Sequence, residues 1–325
     1  MIGSTRCQHS DSFQMIKKTL KFLGVFVLAS VLLLTGLLIY IIWSSNVFYQ
    51  TPTFATNSKK YIRPDTTEAF VVGTVHNPTK QINIDTLYNT LERIKPDLIL
   101  YEYDSTGFDS DMNLKGYFGY ILPSFLAKYQ TNEGAASKKY IMLNKTTVIR
   151  PYEWRLRNKW NKEKGILKTP DKIFGVLDDL LKQQKLSKTQ ATILKTFYEL
   201  TDQLNSYADS SIYQINTPKQ DSICQLRQYY QYHRIKEIID QNNHLKEYRG
   251  FYTIYEQYWD LRNQAMAKNI CNYIKLSPNK RIVILNGYFH SYYLLKELRQ
   301  QQRLLNFKLI NINQINQHLY TSKNL

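Results

Sequence analysis

The pattern of apolar and polar positions divides the chain into one long uncharged stretch and a remainder built of short apolar runs. Residues 22–58 carry no charged side chain, and residues 22–43 within them are almost wholly apolar. At about 1.5 Å per helical residue this run is long enough to cross a bilayer. Lys17, Lys18 and Lys21 precede it, and Trp43 closes it where an interfacial aromatic belongs. The expectation is a signal anchor: 1–21 cytoplasmic, 22–43 transmembrane, 44–66 a polar tether, and 67–325 one extracytoplasmic domain. A cleaved signal peptide is the rival reading. The run exceeds the roughly 7–15 residues of a signal core, and no clean small-x-small site follows it.

Past the tether the pattern alternates between short, continuously apolar runs and helical spacing. Strands are expected at 69–74, 97–101 and 147–149, the last leading into Arg150-Pro151. Between them fall a helix from Ile84 or Asp85, with Leu87, Leu91 and Ile94 on one face and Lys95-Pro96 at its end, and a second helix over 134–143. Runs this apolar are buried on both faces, so the strand–helix–strand order points to a parallel sheet. From about 170 to 258 the pattern becomes helical only, with Ile173, Val176, Leu177, Leu180 and Leu181 set among Lys and Gln. This stretch reads as a helical insertion or cap, its Tyr229, Tyr230 and Tyr232 serving packing and surface. A helix at 259–274, a strand at 281–285, a helix at 291–300 and a short strand at 307–312 return to α/β. The expected fold is α/β: a mostly parallel central sheet flanked by helices, with a helical insertion and an N-terminal transmembrane helix.

The chemistry waits at the strand ends. Gly73-Thr74-Val75-His76 follows the first strand, and Gly287-Tyr288-Phe289-His290 follows the strand at 281–285. If those strands are parallel neighbours, both histidines emerge at one carboxyl edge, where open α/β sheets bind ligands. Glu102 and Arg150 end the second and third strands. Two imidazoles and a carboxylate (His76, Glu102, His290) form a usual set of donors for a divalent cation, and such an ion activates water near neutral pH. Arg150 is placed to hold a carboxylate or stabilise negative charge, and Glu153 and Asp104 to orient these groups or act as a base. The plainer reading is a set of structural histidines and a surface acid, with Arg150 and Glu153 paired to each other. His9, on the cytoplasmic side, and His233, His244 and His318, in polar segments, stand apart from the set. No His-Glu-x-x-His helix, Gly-x-Ser-x-Gly elbow or phosphate-binding glycine loop is present.

Composition adds two facts. The formal net charge is +17, and there are 26 tyrosines. Such a charge suits solubility or an acidic partner such as anionic lipid or a wall polymer. The densest basic segment is Arg155, Arg157, Lys159, Lys162, Lys164 and Lys168, with Trp154 and Trp160 interleaved. No nucleic-acid-binding signature accompanies it, so nucleic acid is not an expected partner. The three cysteines are too few for a disulfide scaffold. Cys224 and Cys271 read as free thiols, with pairing open in an oxidising compartment.

The two Gly-x-x-His motifs, Leu100-Tyr101-Glu102-Tyr103-Asp104, Glu133 with Ala136, Arg150-Pro151, and Trp259-Asp260-Leu261-Arg262-Asn263 followed by Met266 and Asn269 together resemble the superfamily of TraB/PrgY, GumN-like, Tiki, erythromycin esterase and ChaN-like proteins. The likeness runs over about 67–298 and is weak in the helical middle. It implies an α/β sheet flanked by helices. Tiki-like members imply metal-dependent peptide cleavage, other relatives ester hydrolysis or haem binding. On that likeness the expected site has His76, Glu102 and His290 on a metal, with Arg150, Arg262 and Glu153 assisting catalysis. Gly73, Asp104, Glu133, Asn263 and Gly287 support the motifs. Tyr288, Phe289 and Tyr292 replace the small residues usual around the second motif and reshape any pocket. The expected activity is a membrane-anchored, metal-dependent hydrolase acting on a peptide or small ester. The alternative is a non-catalytic binder of haem or a peptide signal. The oligomeric state stays open.

Overall fold

A computed structural model describes residues 23–40, 64–108 and 131–315. The expectations placed on Cys7, His9, Lys17, Lys18, Lys21, Trp43, most of the tether and His318 lie outside these residues. The chain divides into two units. Of the first, helix α1 (Leu23–Tyr40) is described. It is long and apolar enough to cross a membrane, with a mean hydropathy of 2.5 and none of its span buried. A signal sequence has the same character.

The second unit is built on a five-stranded parallel sheet in the order β3-β2-β4-β1-β5. The strands are β1 (Thr67–Thr74), β2 (Leu98–Tyr101), β3 (Val148–Pro151), β4 (Arg281–Gly287) and β5 (Phe307–Asn311). The three inner strands are buried along nearly their whole length, as their unbroken apolar runs require, and the edges β3 and β5 alternate. On one face Phe70, Val72, Ile99 and Val283 pack under α2 (Ile84–Ile94) and α3 (Asn132–Leu143). On the other, Ala69, Val71, Leu100 and Ile284 meet α9 (Arg249–Lys275) and α10 (Ser291–Leu305) through Met266, Ile270, Leu294 and Leu298. The helix starts follow local chemistry. Asn83 accepts from the backbone N–H groups of Asp85 and Thr86 to cap α2, and Lys95, left-handed at φ 52°, ends it before Pro96.

Between β3 and β4 the described chain is helical: α4 (Arg157–Glu163), α5 (Thr169–Lys182), α6 (Lys188–Ala208), α7 (Pro218–Tyr229), a π turn over Tyr230–Arg234, α8 (Ile235–Gln241), and α9. A separate aromatic and aliphatic core joins α5, α6, α8 and the first half of α9. The expected insertion limits of 170 and 258 are therefore corrected. Helix begins at Arg157, and α9 runs unbroken from the insertion into the layer beneath the sheet, because its Tyr252 and Tyr255 pack in one core and its Met266 and Ile270 in the other. Cys224 and Cys271 are free thiols belonging to different cores. His233 pairs with Glu256 at 2.7 Å, so it is not simply solvated. Trp154 and Trp160 pack tilted on each other and on Tyr258 rather than standing as an open stacking platform.

One clasp ties the helical segment to the sheet. Pairing of β1 with β5 stops at Val71, which leaves the Gly73 backbone without a strand on that side. Asn216 replaces the strand: Gly73 N–H donates to its Oδ1 at 2.7 Å, and its Nδ2 donates to the Gly73 carbonyl at 2.9 Å. The approach demands glycine. A Cβ at Gly73 would lie 2.6 Å from Ser291 Oγ and 3.1 Å from both Asn216 Oδ1 and Tyr288 Cβ. Gly73→Ala is expected to destabilise the protein by about 1–3 kcal/mol, measured by chemical unfolding; an unchanged midpoint would refute this packing account.

Candidate functional site

β1 and β4 are parallel neighbours with Thr74 opposite Gly287, so both Gly-x-x-His motifs leave the same edge of the sheet. β2 adds Glu102 just past Tyr101, and the turn after β3 adds Glu153. From beneath, α9 presents Arg262 and Asn263, and the first turn of α3 presents Glu133. Glu102, Glu133, Glu153, Arg262, Asn263 and His290 are all buried.

Arg262 is the hub. Its Nε lies 3.0 Å from Glu153 Oε1, and its Nη2 donates to Glu153 Oε2 at 2.5 Å and Glu102 Oε1 at 2.6 Å. Its Nη1 reaches His290 Nε2 at 3.0 Å. Burial works against the guanidinium charge, but Glu102 and Glu153 outweigh it and hold Arg262 more firmly charged than usual. Glu102 is pushed up by burial, against the pull of Arg262. Its Oε2 accepts from Gly287 N–H at 2.7 Å. Glu153 also meets Arg157 at 3.4 Å and accepts from the Trp154 N–H, so its role is to hold Arg262 in place.

The two histidines sit in opposite environments. His290 is buried and stacks on Trp259, with ring centroids 4.5 Å apart. Asn263 Nδ2 donates to the Trp259 carbonyl, which turns Oδ1 toward His290 Nδ1 at 2.7 Å. His290 Nδ1 therefore carries the proton, and Nε2 offers its lone pair to Arg262. Burial, with Arg262 behind it, keeps this imidazole neutral far below the ordinary histidine range. His76 is half-exposed, its side chain 51% accessible, while its partner Glu133 is 1% accessible. The His76 Nδ1 to Glu133 Oε1 distance is 3.0 Å, and Thr74 donates to the same oxygen. That hydrogen bond raises the His76 pKa above 6.5 despite burial. Burial pushes Glu133 up, but His76 and Thr74 prevail and its net shift is downward. Neutral His76 carries its proton on Nδ1 and turns Nε2 toward the glycine. A Cβ on Gly287 would lie 3.1 Å from that Nε2 and 3.6 Å from Glu102 Oε2, so glycine keeps the space between His76 and Glu102 open.

The structure thus gathers His76, Glu102, Glu133, Glu153, Arg262, Asn263, His290 and the two glycines. Two expected residues stand elsewhere. β3 continues through Pro151, which puts Arg150 within the strand rather than beyond it; its Nη1 donates to the Ile149 carbonyl, and its charge acts on Tyr273 of α9. Asp104 caps a short turn, accepting from Thr106 N–H and from Asn158 Nδ2 at 3.1 Å. Arg262 takes the place expected of Arg150. Trp259, named above only as part of the arginine-bearing motif, stacks on His290, and Asn216, not named above, braces Gly73. Trp259's place one helical turn before Arg262 was the available signal, whereas an asparagine between helices carries none.

Both histidines present Nε2 with Nδ1 anchored, as metal ligands do. Yet Arg262 already holds the His290 lone pair and one Glu102 oxygen, and among the described residues no three His, Cys, Asp or Glu side chains converge at ligand spacing. As arranged, these residues do not fit a three-donor metal centre.

Two outcomes follow. Arg262→Met strands Glu102 as a buried acid without a counter-charge and leaves Glu153 only Arg157, at 3.4 Å, for a counter-charge, and is expected to cost about 3–5 kcal/mol, read by thermal or chemical unfolding; a loss below about 1 kcal/mol would show the acids reaching water. The His76–Glu133 pair contributes its full stabilisation between the unfolded values of 4.5 and 6.5. It fades as pH rises through the raised His76 value, or falls through the lowered Glu133 value. In Glu133→Gln the His76 ring, followed by NMR, is expected to titrate at lower pH than in wild type; an unmoved midpoint would sever the pair.

Comparison with known proteins adds no name to this arrangement: no family model, no curated protein and no solved structure matches the chain.

Proposed function

We propose that the chain is a membrane-anchored hydrolase of peptides or small esters, similar to the TraB, GumN and Tiki group in its two Gly-x-x-His motifs, with α1 as its anchor and the α/β unit on the extracytoplasmic side. The observation that carries this reading is the His76–Glu133 pair: an accessible imidazole whose Nδ1 rests on a buried carboxylate and whose Nε2 faces open space beside Glu102. Neutral His76 removes a proton from water at Nε2, and Glu133 stabilises the imidazolium that forms. Arg262, fixed by Glu153 and Glu102, supplies positive charge near the negative charge that builds on the attacked carbonyl oxygen. Protonated His76 then returns that proton to the leaving group, while Glu102, accepting from Arg262 and from the Gly287 N–H, holds this edge of the site in place. His290 keeps Arg262 aimed and takes no proton itself.

Metal dependence is the second reading, favoured by the anchored Nδ1 atoms and by the room beside Gly287. It requires Arg262 to release His290 and Glu102. Haem binding requires more: His290 would have to leave both Arg262 and the Trp259 stack.

The detergent-purified full chain should hydrolyse members of a peptide and ester panel, with a rising pH limb above 6.5 that reflects His76. His76→Gln is expected to lower kcat by about 10²–10⁴-fold. Activity that survives exhaustive chelation supports the metal-free route. Activity lost on chelation and restored by a divalent cation, with metal content falling in His76→Ala and His290→Ala, selects the second reading. No turnover of any panel member rejects the hydrolase.

A further inference from the structure

Beside the motif that ends in His290 lies a second cation that the chemistry above does not use. Arg227, on α7, is flanked by two aromatic rings: its guanidinium carbon stands 4.7 Å from the Phe197 centroid and 5.3 Å from that of Phe289. Phe289 directly precedes His290. The polar atoms around Arg227 are neutral. Its Nε donates to Thr201 Oγ1 at 3.3 Å, and its Nη1 donates to Gln228 Oε1 at 2.6 Å and to Gln231 Oε1. Gln231 is held in turn by donating to the Tyr255 hydroxyl at 2.6 Å. Among the described residues Arg227 makes no ion pair with a carboxylate, and its Nη2 donates to none of them.

That is an unusual setting for arginine. A guanidinium even partly withdrawn from water, as Arg227 is, normally lies against an acid, as Arg262 does, because withdrawal without a counter-charge is costly. Here the chain fixes the fork with two glutamine amides and two ring faces and leaves the charge unanswered. The local backbone contributes. The π turn after α7 adds a residue to the helical repeat and places Gln231 against Arg227 and Tyr232 against Trp259, which stacks on His290. One segment thus shapes the surroundings of both Arg227 and His290.

We infer that Arg227 is a specificity residue that receives a carboxylate of the substrate, so that the hydrolase acts on peptides or esters bearing a free carboxylate close to the bond cleaved. This rests on the proposed hydrolase and names its substrate class. A single guanidinium neutralises a single charge, which suits a carboxylate better than a doubly charged phosphate ester. The contact with Phe289, one residue before His290, puts this anchor beside the second motif, so the carboxylate it receives belongs to the same substrate as the scissile bond.

Binding is measured by calorimetry on the full chain in detergent micelles, carrying His76→Gln so that turnover does not interfere. The probes are N-acetyl di- to tetrapeptides with a free C-terminal carboxylate, and the same peptides amidated. The acids are expected to bind at least about tenfold more tightly than the amides, as loss of a charge-assisted hydrogen bond implies. Adding Arg227→Met should abolish the difference, and Arg227→Lys should retain part of it. If Arg227→Met does not fold, Arg227→Gln carries the same comparison. Acids and amides bound equally, neither bound measurably, or a preference that survives loss of Arg227 would overturn the inference. Turnover of the panel by the chain with His76 intact is scored separately. An Arg227-dependent acid preference without turnover keeps the anchor and rejects the hydrolase; turnover without any acid preference does the reverse.

Discussion

The arrangement at the carboxyl edge depends on one buried cation. Arg262 is the only charge within hydrogen-bonding reach that answers both Glu102 and Glu153 among the described residues, and it also takes the lone pair of His290. A guanidinium suits this task because its donors lie in a rigid plane, so three partners from three different chain segments are fixed relative to one another at once. β2, the turn after β3 and the loop after β4 are thereby locked in register by a single side chain reaching up from α9. The core of the sheet would tolerate many apolar exchanges; this junction would not, since each partner removed leaves another charge stranded.

Around that hub the protein keeps two imidazoles in contrasting states. His290, stacked on Trp259 and facing a guanidinium, is held neutral and immobile. His76, half open to solvent and resting on Glu133, holds its proton more firmly than an ordinary histidine. Groups with separated proton affinities in one pocket are what acid–base chemistry needs. The division also explains why a shared sequence motif does not mean a shared role. Each Gly-x-x-His delivers its ring to the same edge, but the helix packed beneath decides what the ring can do.

Much of this was legible in the sequence. Continuous apolar runs identified the three inner strands within a few residues, because strands buried on both faces admit little else, and the edges β3 and β5 fell close to their expected places. The matched motifs after β1 and β4 anticipated that these strands are neighbours. Glu102, Arg262, His76 and His290 were singled out, and they do meet. What failed did so for physical reasons. Arg150 looked like a residue beyond a strand because strand length is poorly marked when proline ends it, and β3, an edge strand, accommodates Pro151 without losing a needed donor. The start of α9 was hidden because its first half is apolar toward the helical core and its second toward the sheet, so no single face runs through it. Asn216 was invisible: its importance comes from an unpaired stretch of β1 backbone that exists only once β5 has stopped short.

The strand order has a consequence for synthesis. β1 emerges from the ribosome first, yet its two neighbours, β4 and β5, are the last strands made. Of the early strands only β2 and β3 can join each other. A nascent chain must therefore carry the fully buried strand β1 without a partner through the whole translation of the helical segment, and Glu102 and Glu153 without their arginine until α9 is made. Such a delay exposes sticky surface. A copy truncated before β4 would hold no sheet around β1 at all, so production of this protein should be governed by whatever shields its first strand until β4 and β5 arrive.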